Sequence, residues 1–189
     1  MKGIVSAIML AGAALPAWAQ DYQRAMQQFY QDSVLGWARD PVLIAATRAQ
    51  NGTTAHYSNA QISALDQAWQ AEIGSAAQPG IEPVLHNAAA DFLRRQIDAS
   101  GGRITEVILM DAVGLNVAVT SVTSDMWQGD EAKFIETYGH GPGAVHYGDI
   151  EFDESTGRYQ GQISFTLVDP TSGEMVGAMT VGVDAELIL

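Results

Sequence analysis

The sequence predicts an α+β protein in which one antiparallel sheet of about five strands carries helices packed on one face. Up to residue 102, apolar residues recur at helical spacing, whereas from Ile104 onward they recur with a period of two. The connections at residues 153–157 and 169–173 are short and rich in turn residues, which favours antiparallel hairpins over parallel crossovers. A chain of 189 residues, 47% of them hydrophobic, is long enough to bury the core of one domain.

Residues 1–19 are predicted to be a signal peptide. Lys2 gives a positive start, residues 4–15 are apolar but too short to span a bilayer, and Ala17-Trp18-Ala19 fits the small-x-small rule for cleavage before Gln20. A retained N-terminal anchor is the alternative. Because no cysteine precedes the cleavage point, we expect no lipid anchor. The mature protein is therefore expected in a periplasm or outside the cell, without a membrane anchor.

Four helices are expected before the sheet begins. The first covers residues 21–37, where apolar residues form one helical face. The pair Asp40-Pro41 places a good N-cap before a proline, so a second helix is expected from there to the C-capping pair Asn51-Gly52. A third covers residues 62–73, and a fourth is opened by Pro83.

The strands follow in the second half, and residues 20–102 and 103–189 are expected to form one domain together. Ile104–Met110 is predicted to be a strand whose nearly continuous apolar run indicates burial on both faces. A short helical turn is expected within residues 130–138. The remaining strands are expected at residues 115–122, 145–152, 159–167 and 175–183.

Charge and composition exclude several classes of function. With 22 acidic and 9 basic residues the net charge is −13, which repels nucleic-acid phosphates and anionic lipid heads. The chain has no cysteine, so disulfides, thiolate metal sites and cysteine nucleophiles are excluded.

Motifs for enzymes, cofactors and metals are weak or missing. The stretch 139–144 matches G-x-G-x-x-A, but it follows a helix and Pro142 removes an amide that a pyrophosphate would need, so a hinge or lid loop is preferred. Acidic residues within 149–154 most simply form the wet face of a strand, with a calcium site as the alternative. We therefore expect no catalytic residues, no cofactor and no metal. The four histidines show no ligand spacing: His56, His86, His140 and His146.

The segment Thr123–Glu131 combines acids, an amide, hydroxyls and an indole in one connection. Two interpretations stay open. Asp130 and Glu131 can cap the short helix while Trp127 plugs the core. Alternatively, the segment is the wall of a ligand pocket, with an aromatic plate beside fixed polar groups.

Residues ~104–184 resemble the extracytoplasmic PAS-like sensor domains called PDC or Cache domains. The similarity lies in D-x-x-G-x-x-V-A at residues 111–118, S-D-x-x-Q-G-D-E at residues 124–131, and the stretches 149–155 and 173–181. It implies a PAS-like five-stranded antiparallel sheet with a long N-terminal helix. It also implies a small-molecule pocket between the sheet and the loops and short helix joining the second and third strands. Family members are usually parts of membrane receptors, whereas this chain has no second membrane span and no transmitter, so a free-standing module is expected.

Eight residues are predicted to bind the ligand. Because Lys133 is the one basic side chain beside this pocket, a carboxylate ligand would need Lys133 or backbone amides. Acids and aromatic rings suit an amine, so amino acids or small amines are favoured. The predicted residues are Asp125, Trp127, Gln128, Asp130, Lys133, Tyr138, Tyr147 and Asp169.

Three classes of function remain open. The favoured one is a non-enzymatic periplasmic sensory module that presents its ligand state to a separate receptor or transporter. A structural protein with a vestigial pocket and a small hydrolase are the alternatives, although no nucleophile–base pair is visible. The apolar face of the first helix either forms a homodimer contact or is fully buried within one chain.

Overall fold

The computed structural model describes residues 17–153 and 158–189. The predicted signal peptide falls largely on residues 1–16, which lie outside the described residues. Within the described ranges, no helix is long and apolar enough to cross a membrane.

The helices and strands follow the expected order. The helices are α1 (Ala17–Phe29), continued by a π-helical turn (Tyr30–Val34), α2 (Pro41–Thr54), α3 (Asn59–Glu72), α4 (Ile81–Leu85), α5 (Ala88–Ala99) and α6 (Ala132–Ile135), with a 3-10 turn at Tyr138–His140. The strands are β1 (Ile104–Met110), β2 (Asn116–Val119), β3 (Val145–Tyr147), β4 (Glu151–Asp153), β5 (Arg158–Val168) and β6 (Met175–Asp184).

Helix α2 begins where the sequence predicts and ends later. The carboxylate of Asp40 accepts a hydrogen bond from the backbone N–H of Val42 at 2.9 Å, which confirms the N-cap. The predicted end at Asn51-Gly52 is wrong. The side chain of Asn51 donates to the carbonyl of Val176 at 2.7 Å and accepts from the N–H of Ala112 at 2.9 Å, so Asn51 ties the helix to the sheet instead of ending it.

The helix predicted after Pro83 is two helices, because Asn87 interrupts it. The backbone of Asn87 is extended, and its side-chain oxygen accepts from the N–H of Ala90 at 2.9 Å as the N-cap of α5. The side-chain amide of Asn87 also donates to the carbonyl of Val117 at 3.0 Å. This residue therefore starts a new helix and fixes it to β2.

The sheet is antiparallel throughout, with the strand order β2-β1-β6-β5-β3 and with β4 also paired to β5. The strand expected at residues 145–152 is interrupted, so β3 and β4 lie one after the other along β5. The α+β class is confirmed: an open antiparallel sheet of five to six strands whose main helical layer packs on one side.

Helices α1, α2 and α5 form the main core with one face of the sheet. Phe29, Leu43 and Leu93 of these helices join Leu109 and Ile163 of the sheet in this core. On the other face, a smaller cluster joins α3 and α4 to β1, β2 and β6. Its buried members are Trp69, Ile81, Val84, Ile108, Met110, Val119 and Ala178. Strand β1 is thus covered on both faces, as its apolar run predicts.

Candidate functional site

A polar cavity of about 710 Å³ opens on the sheet face opposite α1, beside α6. Its volume lies in the range of small-molecule pockets, roughly 300–1,000 Å³. The polar side chains of its floor and walls come from five elements and their connections: Glu106, Glu131, Lys133, His146, Asp149, Glu151, Gln160 and Gln162.

Part of the cavity floor depends on Gly182. In register, Gly182 of β6 lies between Glu106 of β1 and Gln162 of β5. A Cβ at Gly182 would lie 2.6 Å from Cγ of Glu106 and 2.7 Å from Oγ1 of Thr105, so glycine leaves room for both side chains. The hydroxyl of Thr105 donates to the amide oxygen of Gln160 at 2.9 Å. The floor is therefore a preformed polar surface.

Lys133 is held in place at the wall of the cavity. Its side chain is 13% exposed, and its Nζ donates to Oε1 of Gln128 at 3.0 Å and lies 3.0 Å from Oε2 of Glu131. Gln128 is itself buried, and its Nε2 donates to the carbonyl of Asp125 at 2.8 Å. The ammonium group thus has a fixed position.

Carboxylates outnumber cations around the cavity. Of the charged side chains in residues 17–153 and 158–189, Glu106, Glu131, Asp149 and Glu151 border it, against one lysine, Lys133. The potential inside is therefore negative, which favours a ligand with a cationic group.

The structure brings Gln128 and Lys133 into direct contact. Asp125 belongs to the same segment, and its backbone carbonyl accepts from Gln128. The carboxylate of Asp125 accepts from Nε2 of Gln70 at 2.7 Å, which attaches the segment to α3. Lys133 and Tyr147 border the polar cavity, but the side chain of Tyr147 packs against the helix-side core. Burial raises the pKa of Tyr147 above its ordinary value, and the nearby Tyr30 adds to the shift.

Trp127 lies in the connection between β2 and α6, and its side chain packs on the turn between β1 and β2. Its indole N–H donates to the carbonyl of Val113 at 2.8 Å. A Cβ on Gly129 would lie 2.3 Å from Nε1 of Trp127, so the ring covers this glycine closely. Among the described residues, Trp127 lines neither the polar cavity nor the larger apolar cavity at β2.

Asp130 and Tyr138 lie to either side of α6. Asp130 is exposed, and the N-cap position of α6 belongs to Glu131, whose side chain makes no capping bond. Tyr138 stacks on Phe134 with ring centroids 5.2 Å apart. Burial raises the pKa of Tyr138, and the negative charge of Asp111 adds to the shift.

Asp169 lies in the β5–β6 hairpin and pairs with α2. Its carboxylate accepts from the backbone N–H of Thr171 at 2.7 Å and from Nε of Arg48 at 2.8 Å. These contacts lower the pKa of Asp169, the Thr171 bond most of all. The carboxylate of Asp169 is therefore paired with Arg48 within the fold.

Sequence reasoning missed Glu106, His146, Gln160 and Gln162 at this cavity. The alternation along β5 placed both glutamines on the polar face, and that was the available signal. In the part of the chain that the structure describes, no three histidine or carboxylate side chains come together to hold a metal ion.

No protein-family model matches the chain, and no curated protein matches it at a significant level. Solved structures with a similar course include the sensor domain of the Vibrio cholerae histidine kinase DctB, at 14% identity and a TM-score of 0.43 over 91% of this chain and 58% of that one. Another is the ligand-binding domain of the Campylobacter jejuni chemoreceptor Tlp3 in complex with 4-methylisoleucine, at 11% identity and a TM-score of 0.41 over 88% of this chain and 61% of that one.

A third is the ligand-binding domain of the Pseudomonas aeruginosa amino acid chemoreceptor PctC in complex with GABA, at 12% identity and a TM-score of 0.41 over 78% of this chain and 58% of that one. In all three comparisons this chain spans less than two thirds of the solved chain. The chain is distantly similar to sensor and ligand-binding domains of receptors, the class of domain that its sequence motifs resemble.

Proposed function

We propose that this chain is a non-enzymatic, small-molecule-binding sensory module whose ligand occupies the polar cavity beside α6. The observation that carries the proposal is the position of Lys133, a largely buried cation held by Gln128 and Glu131 at the wall of a cavity rich in carboxylates and amides. A fixed cation next to an excess of fixed anions suits a ligand with both charges or with a single positive charge.

The favoured ligands are amino acids and small amines. The ammonium group of such a ligand is attracted to the carboxylates of Glu106 and Glu131, while the carboxylate of an amino acid is attracted to Lys133. Amides of Gln160 and Gln162 on the floor supply further hydrogen-bonding groups. A purely anionic ligand faces the net repulsion of the acidic wall.

The module acts outside the cytoplasm and presents its ligand state to a separate receptor or transporter. Support for the location comes from Lys2, the apolar stretch 4–15 and the small residues before Gln20. A homodimer through the first helix has less support, because Met26, Phe29 and Tyr30 are buried within one chain. Light scattering at micromolar concentration tests this point, and a dimer mass supports the paired form.

The function is tested by thermal-shift screening against a panel of amino acids, amines and carboxylates. The compound with the largest increase in melting temperature is then titrated calorimetrically into the wild type, Gln162→Leu and Gln23→Leu. Gln162 lies on the cavity floor and Gln23 is exposed on α1, so they form a matched pair.

We expect an amine or amino acid to stabilise the protein. Its affinity should fall about tenfold or more in Gln162→Leu, because a polar group of the ligand then faces an apolar side chain and loses its hydrogen-bond partner. Gln23→Leu is expected to bind like the wild type. A panel without a stabilising compound, or equal affinities for both variants, contradicts the proposal.

A further inference from the structure

A second cavity, of about 740 Å³, lies at the edge of the sheet beside β2. Helices α2, α3, α4 and α5 surround it, and Met126 closes one side. It shares none of its lining residues with the polar cavity beside α6. Its volume also falls in the range of small-molecule pockets, roughly 300–1,000 Å³.

The lining of this β2-edge cavity is apolar. Among the residues that the structure describes, no charged side chain borders it, although the chain carries 22 acidic and 9 basic residues. Most of the wall consists of aliphatic and small side chains, among them Val42, Ala46, Leu65, Val84, Val117 and Met126. A charged ligand would lose its hydration here without gaining an ionic partner.

Several polar groups in the lining already have partners in the protein. Nε2 of Gln50 donates to Oδ2 of Asp111 at 2.9 Å and to the carbonyl of Asn116 at 3.1 Å. The hydroxyl of Thr54 donates to the same Asp111 carboxylate oxygen at 2.7 Å. Their hydrogens serve the fold, so the cavity offers a ligand mainly apolar surface.

Helix α3 forms the outer wall and is attached through its C-terminal half. The carboxylate of Asp66 accepts from the backbone N–H groups of Met126 and Trp127 at 2.9 and 3.0 Å, and the indole N–H of Trp69 donates to the carbonyl of Thr123 at 2.8 Å. Leu65, on the same helix, lines the cavity and is 38% exposed. An apolar ligand would cover this leucine.

The distribution of apolar surface favours a small molecule over a protein partner. A stable protein interface buries about 800 Å² on each side and needs apolar surface around its centre. Of the large apolar side chains that the structure describes in this lining, Leu65 is the one that is strongly exposed. The apolar surface lies inside the cavity and not around it.

We infer that the β2-edge cavity is a second binding site, which takes an uncharged apolar small molecule. The two linings share no residue, so this site can be tested on its own, without the ligand of the polar cavity. The driving force is the burial of apolar surface of the ligand and of Leu65 and Met126.

The test is a fluorescence titration of the purified protein with N-phenyl-1-naphthylamine, a neutral dye that brightens in apolar surroundings. Ala45→Phe and Ala88→Phe each place a ring in the cavity from an exposed helical position, so either variant serves if the other fails to fold. Ala71→Phe is the control, because Ala71 is exposed on α3 and does not line the cavity. Thermal melts establish that each variant is folded.

We expect saturable binding of the dye to the wild type and an unchanged affinity in Ala71→Phe. In the two cavity variants the affinity should fall by about tenfold or more. Gln162→Leu in the polar cavity is expected to leave dye binding unchanged, which separates this inference from the proposed function. No saturable binding, or equal binding to folded Ala45→Phe and Ala71→Phe, overturns it. A wild-type dimer that Ala45→Phe converts to monomer also overturns it, because the occupant is then a second copy.

Discussion

The ammonium group of Lys133 lies 3.0 Å from the side-chain oxygen of Gln128, whose amide nitrogen in turn donates to the carbonyl of Asp125 at 2.8 Å. Gln128 is buried, so both of these bonds form away from solvent. These bonds join residues 125–133 and hold the ammonium group of Lys133 at the wall of the polar cavity.

Gln128→Met tests these bonds. The change removes the oxygen that accepts from Lys133 and the donor that satisfies the carbonyl of Asp125. We expect the free energy of unfolding in urea to fall by about 1–3 kcal/mol, the cost of leaving buried polar groups unpaired. Gln67→Met, at an exposed position on α3, is expected to change it little. Equal stability of the two variants would show that the Gln128 bonds contribute nothing.

Trp127 separates the two interpretations of its segment. Trp127→Ala uncovers Gly129 and frees the carbonyl of Val113, so we expect a loss of stability of about 3 kcal/mol, the lower end for large aromatic truncations. Trp127→Phe keeps the packing and loses the hydrogen bond, about 1 kcal/mol. Asp130→Asn, at an exposed position, is expected to melt like the wild type. Calorimetric titration completes the test: a loss of affinity in folded Trp127→Phe supports a ligand wall, and unchanged affinity assigns the indole to the fold.

Gly177 is the position where the sheet tolerates a side chain least. A Cβ there would lie 2.0 Å from the backbone oxygen of Met110, which cannot move without breaking the β1–β6 pairing. We expect Gly177→Ala to lower the free energy of unfolding by about 1–3 kcal/mol or more. Gly36→Ala, where a Cβ has open space, is the control and should be neutral or stabilising. A wild-type melting temperature for Gly177→Ala would contradict the expected clash.

Arg48 makes stability depend on pH in the acid range. Its guanidinium lies 2.8 Å from Oδ2 of Asp169 and 2.7 Å from Oε2 of Glu174. Hydrogen bonds from Thr171 and Arg48 lower the pKa of Asp169, and the Arg48 bond is the main cause that lowers the pKa of Glu174. A lowered carboxyl pKa gives stability that is present above the ordinary value, about 4, and is lost as the pH falls through the lowered value.

Arg48→Met is therefore expected to be less stable than the wild type near neutral pH, with the difference shrinking as the pH falls below about 4. Urea unfolding at a series of pH values measures it. Arg24→Met, which removes an exposed ion pair with Asp21 on α1, should differ little from the wild type at any pH. A constant difference for Arg48→Met across the range would mean that the carboxylates are not involved.

Export provides a separate prediction. If Ala17-Trp18-Ala19 is the cleavage signal, the secreted protein begins at Gln20. N-terminal sequencing of protein recovered from the periplasm or the medium measures this directly. Protein that still begins at Met1 would contradict the cleavage and favour a retained anchor.

Much of the architecture follows from local sequence. The change of period at Ile104 places β1 correctly, and the cap at Asp40 places the start of α2, because both depend on neighbouring residues. The end of α2 cannot be predicted from local sequence, because Asn51 bonds to Ala112 and Val176, which are distant in sequence. Its environment is set by the tertiary fold.

The candidate site follows the same division. Lys133 could be found by counting the basic residues near one segment. Glu106, His146 and Gln162 could not, because three different strands carry them and the strand order and register bring them to one cavity. Alternation identifies the polar face of a strand, but it does not identify which loop covers that face.

One bonded segment, residues 126–133, reaches both cavities. Met126 lines the apolar cavity, Lys133 lines the polar one, and Gln128 between them is bonded in the same segment. A ligand that moves this segment from one side changes the fit on the other, and thermodynamic linkage then makes the effect reciprocal: each ligand alters the affinity of the other by the same factor. If both proposed ligands bind, the position of this one segment couples a charged ligand to an apolar one.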